Sequence, residues 1–519
     1  MNAIGRPTSS GTAAAPAHST ISGDRGLDHE EPLLFELGRA GHCGVDIPHT
    51  EVSDAWLGGM RRKQAIGLPG LSEPEIVRHY VRLSRMNYAI DAGLYPLGSC
   101  TMKHNPRLNE KMARLPGFGD LHPLQPQQTV QGALTLIAEL MRWLTTLTGM
   151  PAVAMSPKAG AHGELCGLLT IRAAMAARGE DRPRILVPSS AHGTNPATAA
   201  LAGFTVDEVP ARPDGHVDAD ALEKMLAPDV AAIMLTNPNT CGLFEKRVRE
   251  IADEVHGAGA YFYCDGANFN AIAGRVRPGD LGIDAMHINL HKTFSTPHGG
   301  GGPGAGPVVL SAALAPFAPL PLLVEDGTGL RLVEDRDEVS AGTKPFGRMC
   351  AFHGQMGMFV RALAYMLSHG ADGIRQASED AVLAANYILA SLKDTLSAPF
   401  EGPCMHEALF DDSFLEGTGV STLDFAKAMI DEGYHPMTMY FPLVVHGAML
   451  IEPTESESKE SLDRFIHVMR GLGEEAKAGR TERFEGAPHL APRRRLDETR
   501  AARNPILRWT PKPLPKAAE

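Results

Sequence analysis

Cysteine pairs that could hold zinc or form a disulfide framework are missing from the sequence. Seven cysteines occur and none is spaced C-x-x-C, which argues against a thiolate zinc site. The odd, scattered set does not suit paired disulfides, so we expect a reducing compartment and a cytoplasmic protein. The sequence also lacks any run of about 18 apolar residues, so we expect no membrane-spanning helix.

An excess of positive charge is lacking as well. Lys and Arg number 49 against 61 Asp and Glu, and the net charge of −12 argues against nucleic acid as the main ligand. Hydrophobic residues at 43% and charged residues at 21% are typical of a folded soluble protein, which excludes a largely disordered chain and a coiled coil. The 519 residues allow about three domains of roughly 100–200 residues.

Changes in composition divide the chain into five segments. Residues 1–30 are rich in Ala, Ser, Thr and Gly without the apolar block of a signal peptide, so we expect a disordered tail. Residues 31–115 contain Pro/Gly-rich stretches typical of an arm that wraps another body. Residues 116–329 form a large domain and residues 330–485 a smaller α+β domain. A basic, Pro-rich extension follows at 486–519, which we expect to pack on the surface rather than to bind anions.

Short β-type runs alternate with helical patterns in the large domain. This alternation indicates βαβ units and a mostly parallel sheet, and therefore an α/β fold. The predicted strands are Arg184–Pro188, Phe204–Val209, Val230–Leu235, Tyr261–Asp265, His287–Leu290 and Pro307–Leu310, with Thr438–Leu443 and Ala448–Glu452 in the smaller domain. The predicted helices include Glu73–Arg85, 129–149, Ala219–Leu226, Val248–His256, Met356–Leu367 and Ser458–Leu472.

Polar residues follow several of these strands. In a parallel sheet the functional site lies at the carboxyl ends of the strands, a rule that selects His192, Asn237, Asp265 and Lys292. Each has an ordinary alternative: Asp265 can cap a helix, and Lys292 can be a solvated surface amine. A buried ionised Asp needs a cationic partner, and a Lys with a depressed pKa can form a Schiff base.

Glycine-rich segments accompany these residues. Lys158–Glu164 opens an apolar helix, whose free N–H groups suit a phosphate. His298–Gly306 has six glycines in nine residues but matches neither a P-loop nor a dinucleotide motif. It suits either close approach to a ligand or neighbouring chain, or a mobile surface loop. His287 and His291 have zinc-like spacing, but no third ligand and no intervening H-E-x-x-H glutamate supports a metal.

The combination of these parts predicts a particular cofactor. In chain order they are a helix start for a phosphate, a His192 ring that can stack on an aromatic group, a carboxylate for a ring nitrogen and a Lys for an aldehyde. A lone His at a strand end is more often structural, so the prediction depends on the whole set. Pyridoxal 5'-phosphate requires these groups.

Several long motifs resemble one protein family. From about residue 33 to residue 509 the sequence resembles the glycine decarboxylase P-protein of the glycine cleavage system, and its length resembles the second subunit of the two-subunit form. The resemblance implies fold type I of the pyridoxal-phosphate enzymes, which is aminotransferase-like. It also implies an α2β2 heterotetramer with a first subunit. The motifs are Tyr95–Lys103, Thr236–Thr240, Asp265–Asn268, His287–Phe294, Pro297–Gly304, Tyr440–Leu443 and Ile451–Glu455.

The resemblance further implies roles for individual residues and for the reaction. Lys292 would hold the cofactor as a Schiff base, Asp265 would pair with the pyridinium, and His192 and Ala267 would lie on the two faces of its ring. Glycine would lose carbon dioxide, and its aminomethyl group would pass to the lipoylated H-protein. The remaining cofactor contacts would be Gly160 and Ala161 at the phosphate, with Thr240 and His291 near the ring or phosphate.

Two rival functions stay open at this point. Another fold type I decarboxylase or transaminase would release carbon dioxide from its substrate, or transaminate it, without H-protein. A non-catalytic scaffold subunit would not need a lysine for the aldehyde, so Lys292 discriminates against it.

Overall fold

A computed structural model describes residues 31–510 apart from 46, 49, 50, 52, 65, 300–303, 328, 352–354 and 492. The predicted tail at 1–30, residues 300–303 of the glycine-rich segment and the end of the basic extension at 511–519 lie outside the described residues. The described chain forms two compact units, the first from 31–89, 430–433 and 482–510, the second from 90–429 and 434–481. The loop Tyr95–Lys103, which we expected in the N-terminal arm, belongs to the second unit. The other predicted domain boundaries stay predictions.

The second unit is built on a seven-stranded sheet. Its strands are β1 (Ala152–Ala154), β2 (Arg184–Pro188), β3 (Thr205–Val209), β4 (Val230–Thr236), β5 (Tyr261–Asp265), β6 (Ala285–His287) and β7 (Val308–Leu310). The strand order is β1-β7-β6-β5-β4-β2-β3. Strands β2 to β6 run parallel, while β7 is antiparallel to both of its neighbours. The predicted mostly parallel sheet is confirmed.

The strand predicted at His287–Leu290 is wrong except for its first residue, His287. Strand β6 ends at His287, which pairs with Val308, the first residue of β7. Leu290–Thr293 instead forms one helical turn that follows Asn289. A short apolar run does not show where sheet pairing stops, because pairing depends on the length of the neighbouring strand.

Helices cover both faces of this sheet. Gln131–Thr148 contributes to the core on one face with Phe262, and Gly160–Ala177 contributes to the core on the other face with Tyr263. Because both faces are covered, every residue of β4 is buried, which explains its continuous apolar sequence. The α-helices are Leu34–Leu37, Glu73–Arg85, Arg107–Ala113, Pro116–Gly119, Gln131–Thr148, Gly160–Ala177, Thr194–Leu201, Ala219–Met225, Val248–Gly257, Leu290–Thr293, Met356–Leu392, Thr422–Asp431, Lys459–Lys477 and Glu498–Arg503. Within the described ranges, none is both long and apolar enough to cross a membrane.

Smaller sheets occur towards the C-terminus of the second unit. Strands β8 (Leu322–Asp326) and β9 (Gly329–Val333) form a hairpin that we did not predict. Strands β10 (Ala408–Phe410), β11 (Thr438–Met439) and β12 (Met449–Ile451) form an antiparallel sheet in the order β10-β12-β11. The helix predicted at Met356–Leu367 continues to Leu392 across a bend at Gly370 (φ 63°), where glycine permits the left-handed conformation.

The first unit contains the predicted helix Glu73–Arg85 with the predicted bounds. Ser72 and Glu75 form a capping box at its start, and Pro74 lies in its first turn. On one face of the helix, His79 and Arg82 contact the buried carboxylate of Glu31 at 2.8 and 2.7 Å. The helix also exposes apolar side chains to solvent, namely Val77, Tyr80 and Val81, each more than half exposed.

Candidate active site

A cavity of about 220 Å³ lies where β2, β4, β5 and β6 end. All eight residues to which the resemblance gave roles line it, although their roles stay predictions. Asn237, which the strand-end rule also selected, is not among the residues that line this cavity. Its side chain instead accepts a hydrogen bond from the backbone N–H of Glu245 at 3.0 Å. The lining residues are Ser99, Gly160, Ala161, Glu164, His192, Thr194, Thr236, Thr240, Asp265, Ala267, Asn268, His287, Asn289, His291 and Lys292.

Asp265 is the last residue of β5 and is buried. Its carboxylate accepts hydrogen bonds from the Asn195 amide at 3.0 Å and from the backbone N–H of Ala267 at 2.9 Å. Burial alone would raise the pKa of Asp265, but His287, Asn195 and Ala267 together hold this pKa below its ordinary value. A fixed negative charge therefore faces the cavity.

Lys292 lies on the helical turn after β6, and only 8% of its surface is exposed. Its Nζ atom donates a hydrogen bond to the backbone oxygen of Ser99 at 2.8 Å. Ser99 belongs to the loop Tyr95–Lys103, so a segment far away in sequence contacts this lysine. The amine of Lys292 and the carboxylate of Asp265 line the same cavity.

His192 follows β2 and lines the cavity together with Ala267. Its Nδ1 atom lies 2.8 Å from the hydroxyl of Thr194, which donates in turn to Glu164 at 2.9 Å. Phe441 packs edge-on against the imidazole with ring centroids 5.6 Å apart. These contacts orient the ring from both ends.

The helix Gly160–Ala177 begins at the cavity. Its first N–H groups have no partner within the helix, and its dipole places partial positive charge at this end. A Cβ atom at Gly160 would lie 2.8 Å from Oδ1 of Asn289, so a larger residue would push the helix start away from the turn that bears Lys292. Glycine therefore permits the close approach.

Several buried polar atoms at the cavity have no hydrogen-bond partner within the described part of the chain: Thr236 Oγ1, Asn289 Oδ1 and His291 Nδ1. Burial lowers the pKa of His291 to about 3, with contributions from neighbouring His298 and Lys292, so this imidazole is neutral. The hydroxyl of Thr240 instead donates to the backbone oxygen of Ser190. Unpaired buried polar groups are costly, which favours a polar ligand in this cavity.

Sequence reasoning missed part of the lining. His287 was considered only as a metal ligand, whereas its Nδ1 atom lies 2.7 Å from the Tyr263 hydroxyl and its Nε2 atom 3.4 Å from Asp265. Most of the missed residues belong to the motifs already singled out. Their position within these motifs could therefore have identified them. The residues not singled out were Ser99, Glu164, Thr194, Thr236, Asn268 and Asn289.

Comparisons with known proteins agree with this fold. A family profile described as Aminotransferase class-V matches residues 169–302. A crystal structure of glycine decarboxylase (P-protein) of the glycine cleavage system, in inhibitor-bound form, superposes with a TM-score of 0.69 at 20% identity and covers 82% of this chain and 100% of that chain. Lactobacillus brevis glutamate decarboxylase gives a TM-score of 0.61 at 14% identity over 83% and 96% of the chains. The chain is thus an α/β protein with the aminotransferase-like fold type I.

Sequence relatives narrow this class to one family. A profile described as "Glycine dehydrogenase, C-terminal domain" matches residues 377–489. The chain is 70% identical to "Probable glycine dehydrogenase (decarboxylating) subunit 2" of Caulobacter vibrioides over 100% of both chains. It is 47% identical to the Listeria monocytogenes protein of the same name over 93% of this chain and 99% of that one. The chain belongs to the family of glycine dehydrogenase (decarboxylating) subunit 2, and the resemblance is confirmed.

Proposed function

We propose that this chain is the pyridoxal-phosphate-binding subunit of a glycine decarboxylase of the glycine cleavage system, and that it passes the aminomethyl group of glycine to the lipoyl arm of H-protein. The proposal rests on the Lys292 amine and the buried Asp265 carboxylate lining one cavity at the carboxyl edge of the sheet. The name shared by the relatives supports glycine as the substrate.

The cavity fits pyridoxal phosphate in its chemistry. Unpaired polar atoms of Thr236, Asn289 and His291 are available to a polar ligand. The start of the helix Gly160–Ala177 offers N–H groups to a phosphate. Asp265 is a buried carboxylate that His287, Asn195 and Ala267 keep ionised, which suits a protonated ring nitrogen.

Each side chain then has a definite task. Pyridoxal phosphate, when bound, supplies an aldehyde for amines and a ring that accepts the electrons released by decarboxylation. Lys292 supplies the amine that holds the aldehyde, and Asp265 keeps the ring nitrogen protonated. His192 and Ala267, which line the same cavity, would lie against the ring. Gly160 and Ala161 would contact the phosphate, with Thr240 and His291 nearby.

The first unit offers a surface for the partner subunit. One helix of this unit exposes three neighbouring apolar side chains, Val77, Tyr80 and Val81, by 52%, 55% and 52%. A cluster of exposed apolar side chains is unusual and often marks an interaction surface. The relatives are named as second subunits, so the first subunit is the occupant that we propose. An α2β2 heterotetramer would bury this face.

The lipoyl arm of H-protein needs a route to Lys292. We propose that the loop Tyr95–Lys103 lines this route, together with the histidines at the cavity. Ser99 of this loop already contacts the Lys292 amine. All seven cysteines of the chain are free, which supports a reducing, cytoplasmic location.

Release of carbon dioxide from carboxyl-labelled glycine tests the proposal. The full-length chain, the first subunit and lipoylated H-protein are assayed together and with each component left out. We expect release only from the complete mixture, none with Lys292→Ala, and normal release with the surface variant Lys459→Ala. Steady release by the chain without H-protein would contradict the proposal and favour a stand-alone decarboxylase.

A further inference from the structure

Ser99 joins Lys292 to a buried glutamate through its two backbone groups. Its carbonyl oxygen accepts the hydrogen bond from Nζ of Lys292 at 2.8 Å. Its N–H donates to Oε1 of Glu407. The positions of the lysine amine and of the glutamate are therefore coupled through one residue.

The backbone at Ser99 is held in an unfavourable conformation. Its φ of 64° is left-handed, which a residue with a Cβ atom rarely adopts. The preceding residues are fixed on the small sheet, because Leu97 forms a β-bridge with Ile451 and the carbonyl of Gly98 accepts from the Thr438 hydroxyl at 2.6 Å. An additional interaction is needed to keep Ser99 from returning to a more favourable backbone conformation. The hydrogen bond from the Ser99 N–H to Glu407 supplies such an interaction.

Glu407 lies directly before β10 and is completely buried. Burial, reinforced by the nearby carboxylate of Glu452, raises the pKa of Glu407 well above its ordinary value, which favours the neutral acid. The neighbouring His406 lies too far away for a hydrogen bond, with Nε2 at 3.8 Å from Oε2 of Glu407. Oε1 of Glu407 therefore acts on Ser99 as an acceptor rather than as a charge.

We infer that Glu407 is a positioning residue for Lys292. Its side chain fixes the Ser99 peptide, and the Ser99 carbonyl then orients the lysine amine towards the cavity. The inference rests on the proposed role of Lys292, but it concerns the free amine and can be tested without the decarboxylation reaction.

Competitive acetylation of lysines measures the reactivity of each amine directly. The full-length chain, freed of cofactor, is treated with trace acetic anhydride, and labelling of Lys292 is compared with that of Lys224 by peptide mapping. Lys224 is an internal standard, because this lysine is exposed on the helix Ala219–Met225, outside the loop that contains Ser99. Glu407→Met removes the acceptor with little change in volume, and Glu407→Gln keeps an acceptor and copies the neutral acid.

We expect Glu407→Met to increase Lys292 labelling about tenfold, the effect of losing the one hydrogen bond that fixes the Ser99 peptide. Glu407→Gln should label like the unmodified chain. The matched control is Glu245→Gln, since Glu245 is another buried glutamate that accepts a backbone N–H, from Val217 at 3.3 Å. It should have no effect on Lys292.

Two results would overturn the inference. Unchanged Lys292 labelling in Glu407→Met would mean that the Ser99 bond does not orient the amine. Equal increases of Lys292 labelling in Glu407→Met and Glu407→Gln would mean that the charge of Glu407, rather than its hydrogen-bond acceptor, controls the reactivity of the lysine. If Glu407→Met does not fold, Glu407→Leu removes the same acceptor, and its Lys292 labelling should likewise rise; no rise would overturn the inference.

Discussion

The Nε2 atom of His287 lies 3.4 Å from Oδ1 of Asp265, and both side chains are buried beside the cavity. The Nδ1 atom of the same imidazole lies 2.7 Å from the Tyr263 hydroxyl. The positive field of this histidine opposes the effect of burial on Asp265 and favours the carboxylate. The charge at the end of β5 is thus maintained by residues of two adjacent strands.

Asp265→Asn should leave the cofactor bound and slow decarboxylation by about 100- to 1,000-fold. A neutral amide has the same shape but does not keep the ring nitrogen protonated. Exchange of labelled bicarbonate into glycine measures the loss. Near-normal exchange would show that the carboxylate is structural.

His287→Gln should reduce the same exchange less than Asp265→Asn does, by about tenfold. Because the pKa of Asp265 is held below its ordinary 3.8, this carboxylate stays charged as the pH falls to about 5. The unmodified protein should therefore lose no activity through Asp265 in that range. Without His287 the pKa of Asp265 rises, so the acidic limb of the rate profile should move to higher pH; an unmoved limb would contradict this role.

Gly98→Ala should destabilise the second unit by about 1–3 kcal/mol. A Cβ atom at Gly98 would lie 2.5 Å from the backbone oxygen of Leu450, which belongs to β12 and has little freedom to move. Gly93→Ala is the matched control, because a Cβ atom there meets nothing within 4 Å. Urea unfolding of both variants measures the difference in stability. Equal unfolding midpoints would contradict the predicted steric clash at Gly98.

Val77→Asp should weaken association with the first subunit by about tenfold or more, while the chain alone keeps its fold. The aspartate would place a charge within the apolar helix face proposed to be buried. Light scattering of the mixture against the chain alone measures assembly. Leu383→Asp is the control, because Leu383 is an exposed apolar residue of the second unit, at 67%. Unchanged assembly by Val77→Asp would place the interface elsewhere.

Local patterns were sufficient to predict the parts of the site that lie on regular elements. Tyr261–Asp265 was predicted with its observed bounds, because a buried apolar run that ends in Asp has few other interpretations. The same reasoning placed Lys292 after a strand at the correct edge, but it extended that strand to Leu290 and missed the helical turn on which the lysine lies. Ser99 and Glu407 could not be paired from sequence, since 308 residues separate them and neither lies in a periodic pattern. Contacts between distant loops depend on tertiary packing, which local propensity does not report.

Borohydride reduction of the purified protein with its cofactor, followed by peptide mapping, tests directly whether Lys292 holds pyridoxal phosphate. Reduction fixes the pyridoxyl group on whichever lysine holds it. We expect the label on Lys292, and no label in Lys292→Ala. A label on Lys103, a second buried lysine, which bonds to Thr293 beside Lys292, or on any further lysine, would contradict this assignment.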